Sequence, residues 1–405
     1  MKKIVIWGTG EAGKKAYKNI AKYSHRYYVS YWGDSDLSKV GNTMYGIPII
    51  GVDSLKQKNI DYIVIASMYT EEIIELFTNN NIKTKILENY NELEEMPYEK
   101  IFIEISGKCN AKCEWCVTGR NNRYNIPYKS SFMSYDKFKE IYYYLMDKKI
   151  INDETVIALY DWGEPFLNPD FQNIIKFLTK HKNKFELSTN ASRTQIFENN
   201  ISLENLNTLV FSMSGFSQSS YDKIHGFNFL KIKNNIQTIL DNFRKNGFNR
   251  DSVIVYHVYQ FNKKEINDAK NFARKIGSEF IAYNAYFNGM NMALSYLENT
   301  MPYDELKLAG KELDLFYIDD LISKRPKNYY CPEYSTLTIN EDGNVVLCCV
   351  ADKNSEDYKL DNILNLSLSE IKKMKNEYKN KAGCIRCKKS GLDYWTHNVY
   401  RYDFC

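Results

Sequence analysis

The chain has 405 residues, of which 44% are hydrophobic and 26% charged, and its formal net charge is +4. This composition is typical of a globular protein with a buried core, and the length predicts two to four domains. The small net charge argues against nucleic-acid binding, and the sequence has no apolar run long enough to span a membrane.

Residues 1–92 alternate between predicted strands and helices, which is typical of a parallel sheet and predicts a Rossmann-like domain. The apolar stretch Ile4–Trp7 is too short for a signal peptide, so the sequence favours a cytoplasmic protein. The predicted elements are strands near residues 4–7, 28–32 and 62–66 and helices near 11–22 and 70–79.

Gly8, Gly10 and Gly13 follow the first predicted strand and begin a predicted helix. This is the context that a dinucleotide-binding loop requires, and Asp34 stands after the second strand, where a ribose-binding acid is expected. The alternative is a glycine turn that allows close strand–helix packing. Together with the run through Gly41 and residues 61–66, the segment resembles the N-terminal domain of PglD-like sugar acyltransferases. That resemblance implies binding of a nucleotide-sugar or a related group.

Residues 100–290 continue the strand–helix alternation through about six units. This pattern predicts a partial (β/α)6 barrel of the TIM type, whose functional residues lie in the loops after the strands. The predicted strands lie near residues 101–106, 155–160, 185–188, 208–213, 253–259 and 280–283, and the helices near 135–148, 170–180, 230–246 and 264–276.

The loop after the first barrel strand contains Cys109, Cys113 and Cys116 in the sequence CNAKCEWC. In a cytoplasmic chain, cysteines grouped in this way are expected to be metal ligands or catalytic groups rather than disulfides. Three thiolates suit an iron–sulfur cluster in which one iron has no protein ligand. The alternative is a zinc site that takes its fourth ligand from elsewhere in the chain.

The C-x3-C-x2-C spacing resembles that of the radical S-adenosylmethionine (SAM) enzymes. The resemblance implies that the three cysteines hold a [4Fe–4S] cluster and that SAM binds the remaining iron through its amino and carboxylate groups. It also implies a flavodoxin- or ferredoxin-type reductant and a 5′-deoxyadenosyl radical that abstracts hydrogen from a substrate. Trp115 matches the apolar residue that packs near the adenine in that family.

Other segments resemble the motifs that this family carries at successive strand ends. Gly163 and Glu164 match a Gly-Gly-Glu motif that receives the methionyl ammonium of SAM, although Trp162 replaces the first glycine. Such a cation requires acceptors close to the cluster.

Ser188, Asn190 and Ser212 end the next two predicted strands, and the resemblance implies that they contact the ribose and carboxylate of SAM. The alternative for these side chains is ordinary capping. His225 stands in Lys-Ile-His-Gly, where the family often has arginine, so it is a weaker candidate for the carboxylate contact.

After a helix predicted at residues 304–317, the C-terminal region 325–405 contains a predicted β-hairpin, with strands at residues 336–339 and 345–347. Cys331 precedes the hairpin and Cys348 follows it, while Cys384 and Cys387 form a C-x2-C pair. Four thiolates from two loops can close one cluster, and zinc is the alternative occupant.

The C-terminal pattern resembles the SPASM/Twitch extension of radical SAM enzymes. The resemblance implies one auxiliary [4Fe–4S] cluster, of the shorter Twitch type, in a small iron–sulfur domain. Its ligands would be Cys331, Cys348, Cys384 and Cys387. Cys349 is an alternative to Cys348, and Cys405 has no assigned role.

The sequence is therefore predicted to be a radical SAM oxidoreductase that acts on a small polar substrate. Nucleotide-linked and surface-glycan sugars are the candidate substrates, and the auxiliary cluster would accept an electron from the substrate. One alternative is a peptide- or protein-modifying radical SAM maturase. A second is a non-catalytic nucleotide-binding protein with structural zinc. The five histidines show no ligand or triad spacing, so no catalytic base is assigned.

Overall fold

The structure is a computed structural model that describes residues 1–93, 96–198, 201–326, 329–351 and 358–398. The chain divides into two compact units, which are Met1–Met96 with Arg325–Ser335, and Pro97–Lys324 with Thr336–Cys405. The first unit thus includes Cys331, which the sequence pattern groups with the C-terminal domain. Cys405 lies outside the described residues.

The first unit is Rossmann-like, as predicted. Its six-stranded sheet has the order β3-β4-β2-β1-β5-β6 and is parallel except where β3 meets β4. Side chains of β1 alternate between two cores, with Ile4 and Ile6 on one face and Val5 and Trp7 on the other, so helices cover both faces. The elements are β1 (Lys2–Trp7), α1 (Glu11–Ala21), β2 (Tyr27–Gly33), β3 (Thr43–Met44), β4 (Ile47–Ile50), α2 (Val52–Leu55), β5 (Tyr62–Ile65), α3 (Thr70–Asn79) and β6 (Lys85–Leu87).

The second unit contains the predicted partial barrel. Six neighbouring strands, β7 to β12, are parallel and follow one another in chain order, with helices between them. Their bounds are β7 (Lys100–Ile103), α4 (Val117–Tyr124), α5 (Tyr135–Asp147), β8 (Val156–Ala158), α6 (Phe171–His181), β9 (Phe185–Thr189), β10 (Leu206–Ser212), α7 (Gln218–Ile224), α8 (Phe229–Lys245), β11 (Ser252–Val258), α9 (Ile266–Lys275) and β12 (Glu279–Asn284).

The two faces of the barrel sheet differ in polarity. In β9, Phe185 and Leu187 belong to a core packed against the helices, whereas Glu186 and Ser188 lie half-buried on the opposite, inner face. The loop after β7 reaches the segment after β12, where Val117 donates its backbone N–H to the Asn288 carbonyl. The first and last strands therefore bring their C-terminal loops together around the inner face.

The C-terminal hairpin extends the barrel sheet at its β7 edge. Its first strand, β13, runs parallel to β7, and β14 and β15 add antiparallel pairs. The sequence predicts the hairpin but carries no signal for this pairing. The remaining elements are α10 (Met290–Leu297), α11 (Tyr303–Glu312), α12 (Leu315–Ser323), β13 (Leu337–Ile339), β14 (Asn344–Val346), β15 (Lys359–Asn362), α13 (Leu368–Tyr378), α14 (Ala382–Ser390) and α15 (Leu392–Trp395).

The single helix predicted at residues 304–317 is instead two helices, α11 and α12. Leu313 leaves the helical conformation, and the Asp314 side chain accepts the backbone N–H of Tyr317, which begins a new helix. An aspartate cap inside an otherwise periodic segment is the local cause of the break. No described helix is both long and apolar enough to cross a membrane.

Candidate functional site

The three-cysteine loop is held in place by side chains of the helix that follows it. The Asn122 side chain donates to the carbonyls of Cys109 and Ala111 at 2.8 and 2.9 Å. The Arg123 guanidinium donates to the Lys112 carbonyl at 2.6 Å. Hydrogen bonds from α4 therefore hold the backbone of the loop, which suits a preformed binding site.

Gly119 lets α4 pack directly against the cysteine loop. A Cβ atom at this position would lie 2.5 Å from the Cys113 nitrogen and 2.6 Å from its carbonyl oxygen. Any larger residue would push the helix away from the loop. The sequence analysis does not identify Gly119, because what this glycine permits depends on the contact between the helix and the loop.

N–H donors surround two of the three cysteine sulfurs. The Ala111 amide and the Asn190 side chain donate to Cys109 Sγ at 3.5 and 3.8 Å, and Nδ1 of His225 lies 3.4 Å from Cys113 Sγ. Burial raises the pKa of the Cys109 thiol to about 12 and also raises the pKa of Cys113. Buried sulfurs that face N–H groups are suited to thiolate ligands of a metal, which would release the thiol protons on binding.

Among the described residues, no three Cys, His, Asp or Glu side chains are placed to hold a single metal ion. A four-iron cluster makes a different demand, because each thiolate binds a separate iron. The three half-buried cysteines, two of which face N–H donors, therefore fit a cluster of the predicted kind.

The segment that contains Gly163 packs tightly against the cysteine loop. A Cβ atom on Gly163 would lie 1.8 Å from the Ser106 carbonyl oxygen and 3.0 Å from that of Lys108. The backbone N–H groups of Trp162 and Gly163 donate to one carboxylate oxygen of Glu104 at 2.9 and 2.8 Å. Glu104 is 1% exposed and was not singled out by sequence reasoning, because a lone glutamate near a strand end carries no motif.

Glu164 is buried and accepts three hydrogen bonds. Its donors are the backbone N–H groups of Phe166 and Asn190, at 3.0 and 2.7 Å, and the Thr189 hydroxyl at 2.8 Å. Burial raises the pKa of Glu164 to about 7, although the three donors oppose the shift. A cation bound beside this carboxyl group would favour its ionised form.

The other predicted SAM-contact residues lie on or near the inner face of the barrel. Ser188 and Ser212 are half-buried in the neighbouring strands β9 and β10, and Asn190 follows β9 and donates to Cys109. Trp115 is buried; its indole donates to Glu312 at 2.8 Å, and its ring meets Phe287 edge-on. The structure brings these side chains toward one end of the barrel, and their roles toward SAM stay predictions.

In the first unit, two of the three motif glycines are accounted for by packing. A Cβ on Gly8 would lie 2.5 Å from the Ala66 carbonyl oxygen, and one on Gly13 would lie 2.0 Å from that of Gly8. Gly10 faces open space at the start of α1. Asp34 accepts hydrogen bonds from Thr9 and Lys39, which holds its pKa below the ordinary value although burial opposes the shift. The glycine loop and the acid therefore lie together, as the fingerprint predicts.

Three of the four predicted auxiliary ligands belong to the second unit. Cys348 and Cys387 are buried and Cys384 is half-buried. The Trp162 indole donates to the Cys349 carbonyl at 2.5 Å, so the loop after β14 contacts the segment that precedes Gly163. This contact joins the Gly163–Glu164 segment to the cysteine-rich C-terminal region.

A cavity of about 300 Å³ opens beside the cysteine loop. Its wall includes Val117, which directly follows Cys116, and Trp162, which directly precedes Gly163. Polar and apolar groups alternate around it, including an ion pair between Arg120 and Glu305. The remaining lining residues are Asn121, Met290, Asn291, Met292 and Ser295.

Two segments of the chain match known families. Residues 331–394 match SPASM, an iron–sulfur cluster-binding domain, and residues 1–88 match the family described as C2185-like, N-terminal. No curated protein matches the chain. The first of these matches confirms the prediction of a C-terminal iron–sulfur domain, whereas the PglD-like resemblance stays a prediction.

Several solved structures are similar to the chain. The chain is similar to anSMEcpe with bound AdoMet at 17% identity and a TM-score of 0.47, over 72% of this chain and 84% of that one. It is similar to Streptococcus suis SuiB bound to precursor peptide SuiA at 14% identity and a TM-score of 0.48, over 81% of this chain and 83% of that one. It is also similar to BtrN in complex with AdoMet and 2-DOIA at 12% identity and a TM-score of 0.38, over 75% of this chain and 90% of that one. At these identities and scores, the likenesses bear on neither substrate nor activity.

The SPASM match defines the class of the C-terminal region, which is an iron–sulfur cluster-binding domain. The partial barrel and the three-cysteine loop after its first strand have the arrangement that the sequence predicts for a radical SAM enzyme, and membership of that class stays a prediction. An iron–sulfur cluster is the cofactor that the match supports, and SAM stays a prediction. The number of auxiliary clusters and the ligands of each cluster stay predictions.

Proposed function

We propose that the chain is a radical SAM oxidoreductase that acts on a small polar substrate bound in the cavity beside the cysteine loop. The observation that supports this most directly is the composition of the cavity wall. Val117 and Trp162 line the cavity and are the direct sequence neighbours of Cys116 and Gly163. A substrate there would lie beside the segments that carry the predicted cluster and SAM motifs.

The chain's own residues would have the following roles toward the cluster and SAM. Cys109, Cys113 and Cys116 would hold the cluster, and the Gly163–Glu164 segment would receive the SAM ammonium. Ser188, Asn190 and Ser212 would contact the rest of SAM from the inner face of the barrel. When bound, the cluster and SAM supply the 5′-deoxyadenosyl radical that removes a hydrogen atom from the substrate.

The size and lining of the cavity support a small substrate with hydroxyl groups. A volume of about 300 Å³ is at the lower end of the range for ligand pockets. Amide, hydroxyl and ion-pair groups offer hydrogen bonds, and the Trp162 and methionine side chains offer apolar contact. A sugar fits this description.

The auxiliary cluster would complete a two-electron oxidation. Cys331, Cys348, Cys384 and Cys387 would hold this cluster, which would supply an acceptor for the electron that the substrate must lose after the hydrogen atom is removed; the remaining proton would pass to solvent or a base. A flavodoxin- or ferredoxin-type protein would supply the electron that reduces the cysteine-loop cluster.

The proposal is tested by screening substrates for 5′-deoxyadenosine release under anaerobic conditions. Nucleotide-sugars or free sugars are expected to stimulate release, whereas peptides are not. Stimulation by peptides alone would favour the maturase alternative. A zinc-containing chain without iron would favour the non-catalytic one.

The cavity is tested with Asn121→Leu, which removes an amide group from its wall. Losing one hydrogen bond to the substrate is expected to raise KM about tenfold, and the matched control Asn271→Leu, on the exposed face of α9, is expected to leave it unchanged. Steady-state kinetics of 5′-deoxyadenosine release measure the effect. Equal KM values for the two variants would contradict the placement of the substrate.

Glu164 predicts a proton release that depends on pH. Burial raises the pKa of the Glu164 carboxyl group to about 7, and the N–H groups of the SAM amino group would favour its ionised form. SAM also loses a proton when its amino group binds iron, so the release that Glu164 contributes is the difference between the natural protein and Glu164→Gln. That difference is expected to be about one proton near pH 6 and almost none near pH 8.5. Calorimetry in buffers of different ionisation enthalpy measures both numbers, and equal proton release by the two proteins at pH 6 would contradict a direct pairing with Glu164.

A further inference from the structure

We propose that His225 donates a hydrogen bond from Nδ1 to the thiolate of Cys113 and thereby raises the reduction potential of the cysteine-loop cluster. This inference rests on the proposed function for the presence of the cluster. It assigns His225 a role other than the carboxylate contact of the arginine that the family often has at this position. His225 would act through Cys113, as a positioning residue.

The ring of His225 is fixed beside the sulfur. Its Nδ1 lies 3.4 Å from Cys113 Sγ, and the residue is 4% exposed. The ring packs against Tyr221 at 4.9 Å and lies parallel to Phe227 at 6.2 Å, measured between ring centres. Aromatic contacts on this scale leave the imidazole little freedom to turn away.

The backbone ties the histidine segment to the cysteine loop. The His225 carbonyl accepts the Lys112 N–H at 3.0 Å. The Arg123 guanidinium donates both to the Lys112 carbonyl and to the carbonyls of Lys223 and Ile224. The distance between Nδ1 and the sulfur is therefore set by several bonds and not by one side-chain rotamer.

The chemistry of the sulfur determines the direction of the hydrogen bond. A cysteine that ligates iron is a thiolate, which has no proton to give, so Nδ1 must be the donor. Nε2 is buried, and the Ser214 backbone lies near the ring, but no hydrogen bond of good geometry to Nε2 is found among the described residues. The requirement that the thiolate imposes therefore decides the tautomer, and the Nδ1–H form meets it.

A hydrogen-bond donor at this position raises the reduction potential of the cluster. Reduction adds negative charge that spreads onto the sulfurs, and an N–H group aimed at one of them stabilises the reduced form. The effect is larger in a buried site, where water does not screen it. Cys109 also receives a backbone N–H from Ala111, which no substitution of that alanine except proline removes. The Asn190 side chain also donates to Cys109, but Asn190 is a predicted SAM contact, so the histidine is the donor that mutation can test without altering that contact.

The test is the midpoint potential of the cysteine-loop cluster in the full chain. The cluster is identified as the electron paramagnetic resonance signal that changes when SAM is added. His225→Phe keeps a buried ring but removes the donor. It is expected to shift the one-electron reduction equilibrium about tenfold toward the oxidised cluster, or about 59 mV.

Two amide variants separate a donor at Nδ1 from general packing. The side-chain nitrogen of asparagine can occupy the place of Nδ1, and that of glutamine the place of Nε2. His225→Asn is therefore expected to keep the potential of the natural protein, and His225→Gln to lower it as phenylalanine does. Phe227→Leu, which disturbs the stacked neighbour but has no contact with the sulfur, is expected to leave it unchanged.

The outcomes distinguish this inference from the proposed function. If the SAM-sensitive signal is absent from the natural protein, the proposed function fails and this inference fails with it. If the signal is present and His225→Phe leaves its potential unchanged, only the role of His225 is overturned. If His225→Phe loses its cluster, the midpoint potentials of His225→Asn and His225→Gln are compared instead. Equal potentials for these two variants would overturn the role of His225.

Discussion

A chain in which Cys109, Cys113 and Cys116 are all replaced by alanine is expected to release 5′-deoxyadenosine only at background level. The physical reason is that no other described side chain is placed to hold the iron to which SAM would bind. Iron content after anaerobic reconstitution is expected to fall from about eight to about four atoms per chain, because the auxiliary cluster has its own thiolates.

The matched control for this result is the double variant Cys384→Ala, Cys387→Ala. It is expected to lose the other half of the iron and to keep the resonance signal that responds to SAM. Iron and sulfide analysis, resonance spectra and product release are measured on both proteins. Unchanged iron in the triple variant would contradict the assignment of the first three cysteines.

Gly163→Ala is expected to cost about 3 kcal/mol of folding free energy and to lower SAM cleavage about a hundredfold. The new Cβ would meet the backbone of Ser106 and Lys108, which lie three residues and one residue before Cys109. Backbone atoms cannot turn aside as a flexible side chain does, so the Gly163 segment and the cysteine loop must separate. That separation would displace Glu164 from the cluster.

The control for this prediction is Gly310→Ala in α11 of the same unit. A Cβ there has one neighbour, at 3.8 Å, so alanine is expected to be neutral or slightly stabilising. Urea unfolding under anaerobic conditions gives the stability of each variant. Equal unfolding free energies for Gly163→Ala and Gly310→Ala would contradict the prediction, because they would show that the backbone around Gly163 can move to accept a Cβ atom with little loss of stability.

Much of the fold could be predicted because its determinants are local. The six barrel strands, the helices between them and the C-terminal hairpin appear in the structure close to their predicted bounds. Each depends on an apolar period or a turn signal within about ten residues of sequence. The helix predicted at residues 304–317 is wrong for the same reason. The apolar period continues through Asp314, so the pattern does not show that this aspartate caps a second helix.

The candidate site could be predicted only in part. The cysteines, Gly163–Glu164 and the strand-end serines are visible in the sequence because they form short motifs in a fixed order. Glu104 and Gly119 are not visible in this way, because each contacts a segment that only folding brings close to it. The contact of His225 with Cys113 joins residues 112 positions apart and has no sequence signature.

The sequence by itself determined the kinds of element, their order and the chemistry of the thiolate motifs. These depend on residue type and short-range spacing, which the chain carries whether or not it is folded. Only the tertiary structure decided that the hairpin pairs with β7, which N–H groups face the sulfurs and which side chains border one cavity. Those features arise from contacts between distant segments, where packing and hydrogen bonding select among arrangements that local propensity leaves equivalent.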